Sequence, residues 1–254
     1  MIRQASLVVF SHLRWDFVFQ RPQHLLTRMA RSRHVIFIEE PILDTTHQAY
    51  LELTYIDEHL LVVRPHSPID SLGFSGEQMP ILKKLLCEFF AEQGMSKCVA
   101  WFYTPLALPL LSELPYDLVV YDCMHTLNAF LNAPPLLKQR EQELLDKANL
   151  VFTGGPSLFR RLEGRHPRVH HFCSCVDDEP ARFAALCQKE ILESATHRAQ
   201  QLLKINEELA STTWDTTTNA MLSLIDGAIT GQWNDNAAAK SWSMSWKLQK
   251  NILV

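Results

Sequence analysis

Polar and aromatic residues crowd the segment between the first apolar run of the chain and the first predicted helix. The run Ala5–Phe10 is typical of a buried strand, and Pro22–Ser32 has the pattern of a helix with proline in its first turn. The guanidinium groups of Arg14 and Arg21 could hold a phosphate through paired hydrogen bonds, with help from the helix N-terminus. No glycine is present, which excludes a P-loop or a dinucleotide fingerprint. The predicted binding residues are His12, Arg14, Trp15, Gln20, Arg21 and Gln23.

The charge of this region favours an anionic partner. Residues 1–35 hold six arginines against one acidic residue, Asp16, in a chain whose net charge is −4. This local excess suits a diphosphate-bearing substrate or an anionic membrane surface, whereas the acidic chain as a whole argues against a nucleic-acid binder. In the structural alternative, Trp15 and Phe17 anchor the loop in the core and the arginines are solvated.

Two further loops are expected at the same edge of the sheet, because ligands of open α/β sheets bind beyond the carboxyl ends of the strands. The loop after the apolar run YDLVVY begins with Asp122 and contains His125, and either side chain could act as a general base. The histidine could equally be structural. A turn from strand to helix holds Gly154, Gly155 and Ser157, where glycine lets backbone amides approach a ligand and serine caps the helix.

Cysteine and histidine spacing predicts no metal site. The six cysteines form no CxxC pair. One cluster of potential metal ligands consists of His166, His170, His171, Cys173 and Cys175. These residues lie on a predicted strand and just after it, whereas zinc ligands usually lie on tight turns. We therefore interpret the cluster as buried thiols beside surface histidines. No apolar run reaches the ~18 residues of a membrane span, and the N-terminus lacks a signal-peptide pattern. The expected location is the cytoplasm.

Short apolar runs alternate with helical stretches over the first 180 residues, in a chain with 47% hydrophobic and 20% charged residues. This alternation predicts βαβ units and a doubly wound α/β fold with a parallel sheet. Later, two helical stretches are expected to pack on this domain, Pro180–Leu209 and Trp214–Ile229. The tryptophan- and lysine-rich residues 231–254 are expected to form a flexible tail or, alternatively, an interfacial segment on a membrane.

Four segments resemble the N-terminal half of bacterial GT-B glycosyltransferases of family 1 or group 1, in the branch of teichuronic acid and exopolysaccharide transferases: Ser11–Ala30, Tyr121–Phe130, Ala133–Phe159 and His166–Asp177. The resemblance implies a Rossmann-like acceptor-side domain over residues 1–183 and helices over 184–230 that pack on it, followed by the tail over 231–254 that composition predicts. Nothing after residue 183 resembles the second, donor-binding Rossmann domain. The resemblance therefore implies a truncated member that has lost this domain and kept both ends.

The resemblance implies transfer of a hexose from a nucleotide-sugar to a surface-polysaccharide or lipid-linked acceptor. The basic N-terminal segment predicts weak peripheral contact with the inner face of the plasma membrane. Asp16 or His125 would act as the base, and neither a metal nor a resident cofactor is expected. The family usually has Asp-Glu where this chain has His125 and Thr126, and proline where it has Cys173. The alternative is a non-catalytic remnant that binds an acceptor or a partner protein.

Overall fold

The computed structural model of the chain describes residues 5–124, 135–172 and 213–232. The strands are β1 (Ser6–Phe10), β2 (Val35–Ile38), β3 (Ile42–Leu43), β4 (Tyr50–Tyr55), β5 (Leu60–Ser67), β6 (Cys98–Phe102), β7 (Tyr116–Cys123), β8 (Leu150–Thr153) and β9 (Val169–His171). The helices are α1 (Arg21–Met29), α2 (Met79–Glu92), a 3-10 helix (Pro105–Glu113), α3 (Pro135–Lys147), α4 (Pro156–Leu162) and α5 (Trp214–Thr230).

All nine strands belong to one sheet with the order β3-β5-β2-β1-β6-β7-β8-β9, and β4 pairs with β5. Neighbours along this order are parallel, while β4 and β5 form an antiparallel hairpin. From β1 the chain builds outward through β2 and β5, then returns to β6 on the other side of β1 and builds outward again. This doubly wound arrangement confirms the predicted fold class.

The central strands are apolar along their whole length because helices cover both faces of the sheet. Alternate residues of β1 pack into the two cores on opposite faces of the sheet. Val8 and Phe10 face the core under α2, α3 and the 3-10 helix, whereas Leu7 and Val9 face the core under α1 and α5. All five residues of β6 are buried. The two-residue strand β3 is too short to give a periodic signal and was not predicted.

Helix α5 packs against α1. The Thr213 hydroxyl caps its start by accepting from the Thr216 N–H at 3.1 Å. Met221 and Ile225 are fully buried in the core that α1 also faces. The indole of Trp214 stacks on the His24 ring at a centroid distance of 4.6 Å. The predicted helix over 180–209 lies outside the described residues, as does the tail from residue 233.

Candidate functional site

The order of the strands reverses between β1 and β6, and the segments that follow these strands share one edge of the sheet. We name residues 11–20 the β1 loop. Its first backbone N–H, from Ser11, donates to the Ile38 carbonyl at 2.9 Å, and the N–H of Tyr103, just after β6, donates to the Phe10 carbonyl at 2.9 Å. The β1 loop therefore lies between the carboxyl ends of β2 and β6, where doubly wound folds bind ligands.

Buried side chains hold the backbone of the β1 loop at Trp15. Its N–H donates to Glu39 Oε1 at 2.7 Å, and its carbonyl accepts from Gln23 Nε2 at 2.9 Å. Gln23 Oε1 also accepts from the Gln20 N–H at 3.0 Å, at the start of α1. The Trp15 ring packs edge-on against Phe37 at 5.1 Å. Trp15 is thus a core anchor, as the structural alternative for this segment predicts.

The Arg14 guanidinium lies against the end of β2. It donates to Glu39 Oε2 at 3.1 Å, to the Glu40 carbonyl and, at 3.3 Å, to the Pro41 carbonyl. Glu39 is completely buried and also accepts from Arg64 Nε at 2.7 Å. The Arg14 guanidinium, which was predicted to hold a phosphate, therefore already donates to a carboxylate and two backbone carbonyls. Phosphate binding by Arg14 stays a prediction.

Arg21 and Asp122 form a buried ion pair beneath the same edge. Arg21 Nε lies 3.3 and 3.2 Å from the two Asp122 oxygens, and its Nη1 donates to the Phe172 carbonyl at 3.0 Å. Burial raises the pKa of Asp122, although Arg21 acts in the opposite direction. The expectation that Asp122 begins a loop at this edge is wrong, because Asp122 lies within β7 and its side chain is fully enclosed.

The Tyr103 hydroxyl adds a polar group beside this ion pair. Burial is the main cause that raises the pKa of Tyr103, and the charge of the nearby Asp122 carboxylate raises it further. Within the described residues, however, the hydroxyl makes no hydrogen bond of standard geometry. Sequence reasoning missed Tyr103 and Glu39, although each lies at a position that could have been noticed, directly after an apolar strand.

The tip of the β1 loop is exposed. Asp16 is solvent-facing and accepts from Arg64 Nη2 at 3.2 Å. Phe17, Val18 and Phe19 are all largely exposed, and Phe17 reaches 80%. The alternative in which Phe17 anchors the core is therefore wrong. The β1 loop therefore has an exposed tip with three apolar residues and one carboxylate, and a base that buried hydrogen bonds hold in place.

The other predicted site residues lie near this edge or outside the described residues. The Gly154 N–H donates to the Cys123 carbonyl at 3.3 Å, and Gly155 occupies the N-cap position of α4. Ser157 is exposed within the first turn of α4, so the prediction that it caps the helix is wrong. His12 follows β1 and is half-buried. His125 lies outside the described residues, as do Cys173 and Cys175.

The arginines of residues 1–35 do not form a free basic surface. Those that the structure describes all lie against carboxylates: Arg14 with Glu39, Arg21 with Asp122, Arg28 and Arg31 with Asp215, and Arg33 with Asp226. The two acidic residues of α5 offset the charge of the arginines around α1. These pairs could not be predicted from local patterns, because almost two hundred residues separate the partners.

The described parts of the chain contain neither a metal-binding cluster nor a membrane-spanning helix. No three His, Cys, Asp or Glu side chains within 5–124, 135–172 and 213–232 are grouped so that they could hold a metal ion. None of the helices in these ranges is long and apolar enough to cross a membrane.

No protein-family model matches the sequence, and no curated protein matches it. Solved structures show distant similarity. A sucrose-phosphate synthase from Thermosynechococcus elongatus is 13% identical with a TM-score of 0.47, over 73% of this chain and 96% of that one. A trehalose-6-phosphate structure from E. coli bound with UDP-2-fluoro glucose is 12% identical with a TM-score of 0.45, over 73% and 54%. UDP-N-acetylglucosamine 2-epimerase from Rickettsia bellii is 8% identical with a TM-score of 0.42, over 77% and 51%. The chain thus spans about half the length of the last two.

Proposed function

We propose that this protein is related to glycosyltransferases and binds its ligand at the β1 loop. The observation that carries the proposal is the anchored loop at the point where the strand order reverses, with Trp15 held at both its N–H and its carbonyl. A loop fixed in this way presents its tip without a large entropic cost of ordering when a ligand binds. The resemblance of Ser11–Ala30 to GT-B transferases supports the choice of ligand class.

The proposed reaction is transfer of a hexose from a nucleotide-sugar to a hydroxyl of a surface-polysaccharide or lipid-linked acceptor. The acceptor oxygen forms a bond to the anomeric carbon, the bond from that carbon to the nucleotide phosphate breaks, and a base takes the hydroxyl proton. Asp16 is the candidate base among the described residues because its carboxylate is exposed at the loop tip. His125 is a second candidate. Asp122 would act indirectly, by holding Arg21 in place.

A second proposal is a non-catalytic protein that binds an acceptor or a partner. It is favoured by the ion pairs of the carboxylates at this edge. Asp122 is enclosed by its pair with Arg21, and Asp16 shares the Arg64 guanidinium with Glu39. The enclosed side chain of Asp122 cannot reach the hydroxyl of an acceptor, and the Asp16 carboxylate already accepts from Arg64.

Calorimetric titration with UDP-, GDP- and dTDP-sugars tests the first proposal. We expect micromolar binding to one of them, followed by release of nucleoside diphosphate when a glycan acceptor is added. Asp16→Asn should keep the binding and lose the release, whereas Asp146→Asn, an exposed residue of α3, should keep both. Binding without any release supports the second proposal. No binding at millimolar concentrations contradicts the donor-sugar assignment.

We also propose that the protein acts in the cytoplasm, in peripheral contact with an anionic membrane. The support is the exposed guanidinium of Arg31, whose side chain remains 68% accessible despite its contact with Asp215. Co-sedimentation with anionic vesicles at low salt should fall when Arg31 is replaced by serine. Unchanged co-sedimentation of the folded Arg31→Ser variant would contradict membrane contact.

A further inference from the structure

Strand β4 turns unpaired backbone groups outward in the part of the chain that the structure describes. Alternate residues of β5 face opposite neighbours: the Val63 carbonyl accepts from Glu39, after β2, whereas the Leu60 carbonyl accepts from Ile56, after β4. Residues 50, 52 and 54 lie opposite residues 66, 64 and 62, so their backbone groups face β5. Three residues of β4 therefore direct their N–H and C=O groups away from the sheet: Leu51, Leu53 and Tyr55.

These outward groups are complementary to themselves. When two copies of β4 run antiparallel with Leu53 opposite its own counterpart, Leu51 of each copy lies opposite Tyr55 of the other. All three pairs are then of the hydrogen-bonded kind, which yields about six backbone hydrogen bonds. Glu52, the only charged residue of β4, lies opposite Thr54 of the second copy, so like charges do not meet.

The side chains at this edge are apolar and exposed. Leu51, Leu53 and Tyr55 lie beside Pro65, Val63 and Leu61 of β5, and Leu51 packs against the core on that face. Leu53 is 41% and Tyr55 68% exposed. In the register with Leu53 at the centre, these side chains meet one another across the two copies and extend the apolar face of the sheet.

Proteins usually protect a free strand edge with lysine, proline or a bulge. Strand β4, with the sequence YLELTY, contains neither lysine nor proline, and its register with β5 runs without a shift. We propose that β4 pairs with β4 of a second copy of this chain, so that the sheet continues through a symmetric dimer. This interface is independent of the ligand proposed for the β1 loop.

Analytical ultracentrifugation over a range of concentrations tests the dimer. We expect the wild-type chain to approach twice its monomer mass of 29.2 kDa as concentration rises. Leu53→Lys sets two positive charges opposite each other, and it should raise the dimer dissociation constant by about tenfold or more. Leu72→Lys is the matched control, because Leu72 is 96% exposed in a loop away from β4, and its mass should follow the wild type. A wild type that stays monomeric, or a Leu53→Lys variant that dimerises equally well, would overturn the proposal.

Cross-linking tests the register without depending on the lysine variant. In a hydrogen-bonded antiparallel pair the two Cα atoms are about 5.5 Å apart, within the range that a disulfide bridges. In a Cys87→Ser background, which removes an exposed cysteine, Leu53→Cys should give a covalent dimer on mild oxidation. Thr54→Cys should stay at the background level, because each copy places Glu52 opposite it. Equal cross-linking of the two variants would exclude this register.

Discussion

The Arg21 guanidinium donates to both carboxylate oxygens of Asp122, at 3.3 and 3.2 Å, across 101 positions of the sequence. Arg21 is the first residue of α1, and Asp122 lies near the end of β7. A third contact, from Arg21 to the Phe172 carbonyl, reaches the end of β9. One buried side chain thus joins three elements at the edge where we propose that the ligand binds.

Breaking this ion pair from one side should strongly destabilise the fold. Asp122→Ala leaves the Arg21 charge buried, and we expect the free energy of unfolding to fall by about 3–5 kcal/mol. Replacing both partners, as Arg21→Met with Asp122→Leu, should recover much of this loss because no buried charge remains. Urea unfolding measures the free energy of unfolding of the single and the double variant. The control is Asp117→Ala on the same strand, whose partner Lys97 is exposed, with an expected loss of ~1 kcal/mol or less. Equal losses for Asp122 and Asp117 would contradict a buried pair.

The base of the β1 loop should depend on Gln23. Gln23→Ala removes the hydrogen bonds to the Trp15 carbonyl and the Gln20 N–H, and leaving buried backbone groups unpaired should cost about 1–3 kcal/mol. Hydrogen–deuterium exchange should show faster exchange of the loop amides at Trp15 and Gln20, with the strand amides of β6 little changed. Gln142→Ala, on the exposed side of α3, serves as the control and should leave loop exchange as it is. Unaltered exchange in Gln23→Ala would show that Gln23 does not hold the loop.

The two acidic residues of α5 should contribute unequally to its packing on α1. Asp226 lies 3.2 Å from Arg33, whose side chain is 1% exposed, so Asp226→Asn should lower the free energy of unfolding by about 1–2 kcal/mol. Asp215 contacts Arg28 and Arg31 at the surface, and Asp215→Asn should cost ~1 kcal/mol or less because solvent screens these pairs. Thermal or urea unfolding ranks the two variants. The reverse order would mean that burial of Arg33 does not decide the strength of the contact.

Glu40 should make stability depend on pH. Burial raises the pKa of its carboxyl above the ordinary value of 4.5, although Arg14 acts in the opposite direction. The folded state then holds the proton more tightly than the unfolded chain, so the contribution of Glu40 to stability falls as pH rises above 4.5. Glu40→Gln removes this dependence and should gain stability relative to the wild type at pH 7 more than at pH 4. Glu58→Gln, exposed at the β4–β5 turn, should show no such difference between the two pH values.

Local patterns in the sequence were sufficient to predict most elements of the fold. The apolar runs of β1, β2, β6, β7 and β8 mark buried parallel strands, because a strand covered on both faces needs apolar residues throughout. Asp57 and Glu58 separate two strand-like runs, a pattern typical of a hairpin or of an edge pair of strands, and the antiparallel register of β4 and β5 shows the hairpin. Gly94 ends α2 in the left-handed conformation that its position predicts. These features depend on neighbours a few residues apart.

Which charges form pairs depends on the three-dimensional packing of the chain. The arginine excess of residues 1–35 predicted an exposed anion site, yet Arg33 reaches Asp226 across 193 positions and Arg21 reaches Asp122 across 101. Composition cannot reveal such pairs, because the order of strands in the sheet and the packing of α5 bring distant residues together. The same holds for Asp122, which was expected in a loop at the edge of the sheet and which is fully buried beside Arg21. The periodicity of the apolar residues and the alternation of strands and helices along the chain are sufficient to predict the doubly wound sheet and the place of the β1 loop. That the base of this loop is fixed and its tip exposed follows from contacts between residues distant in the sequence.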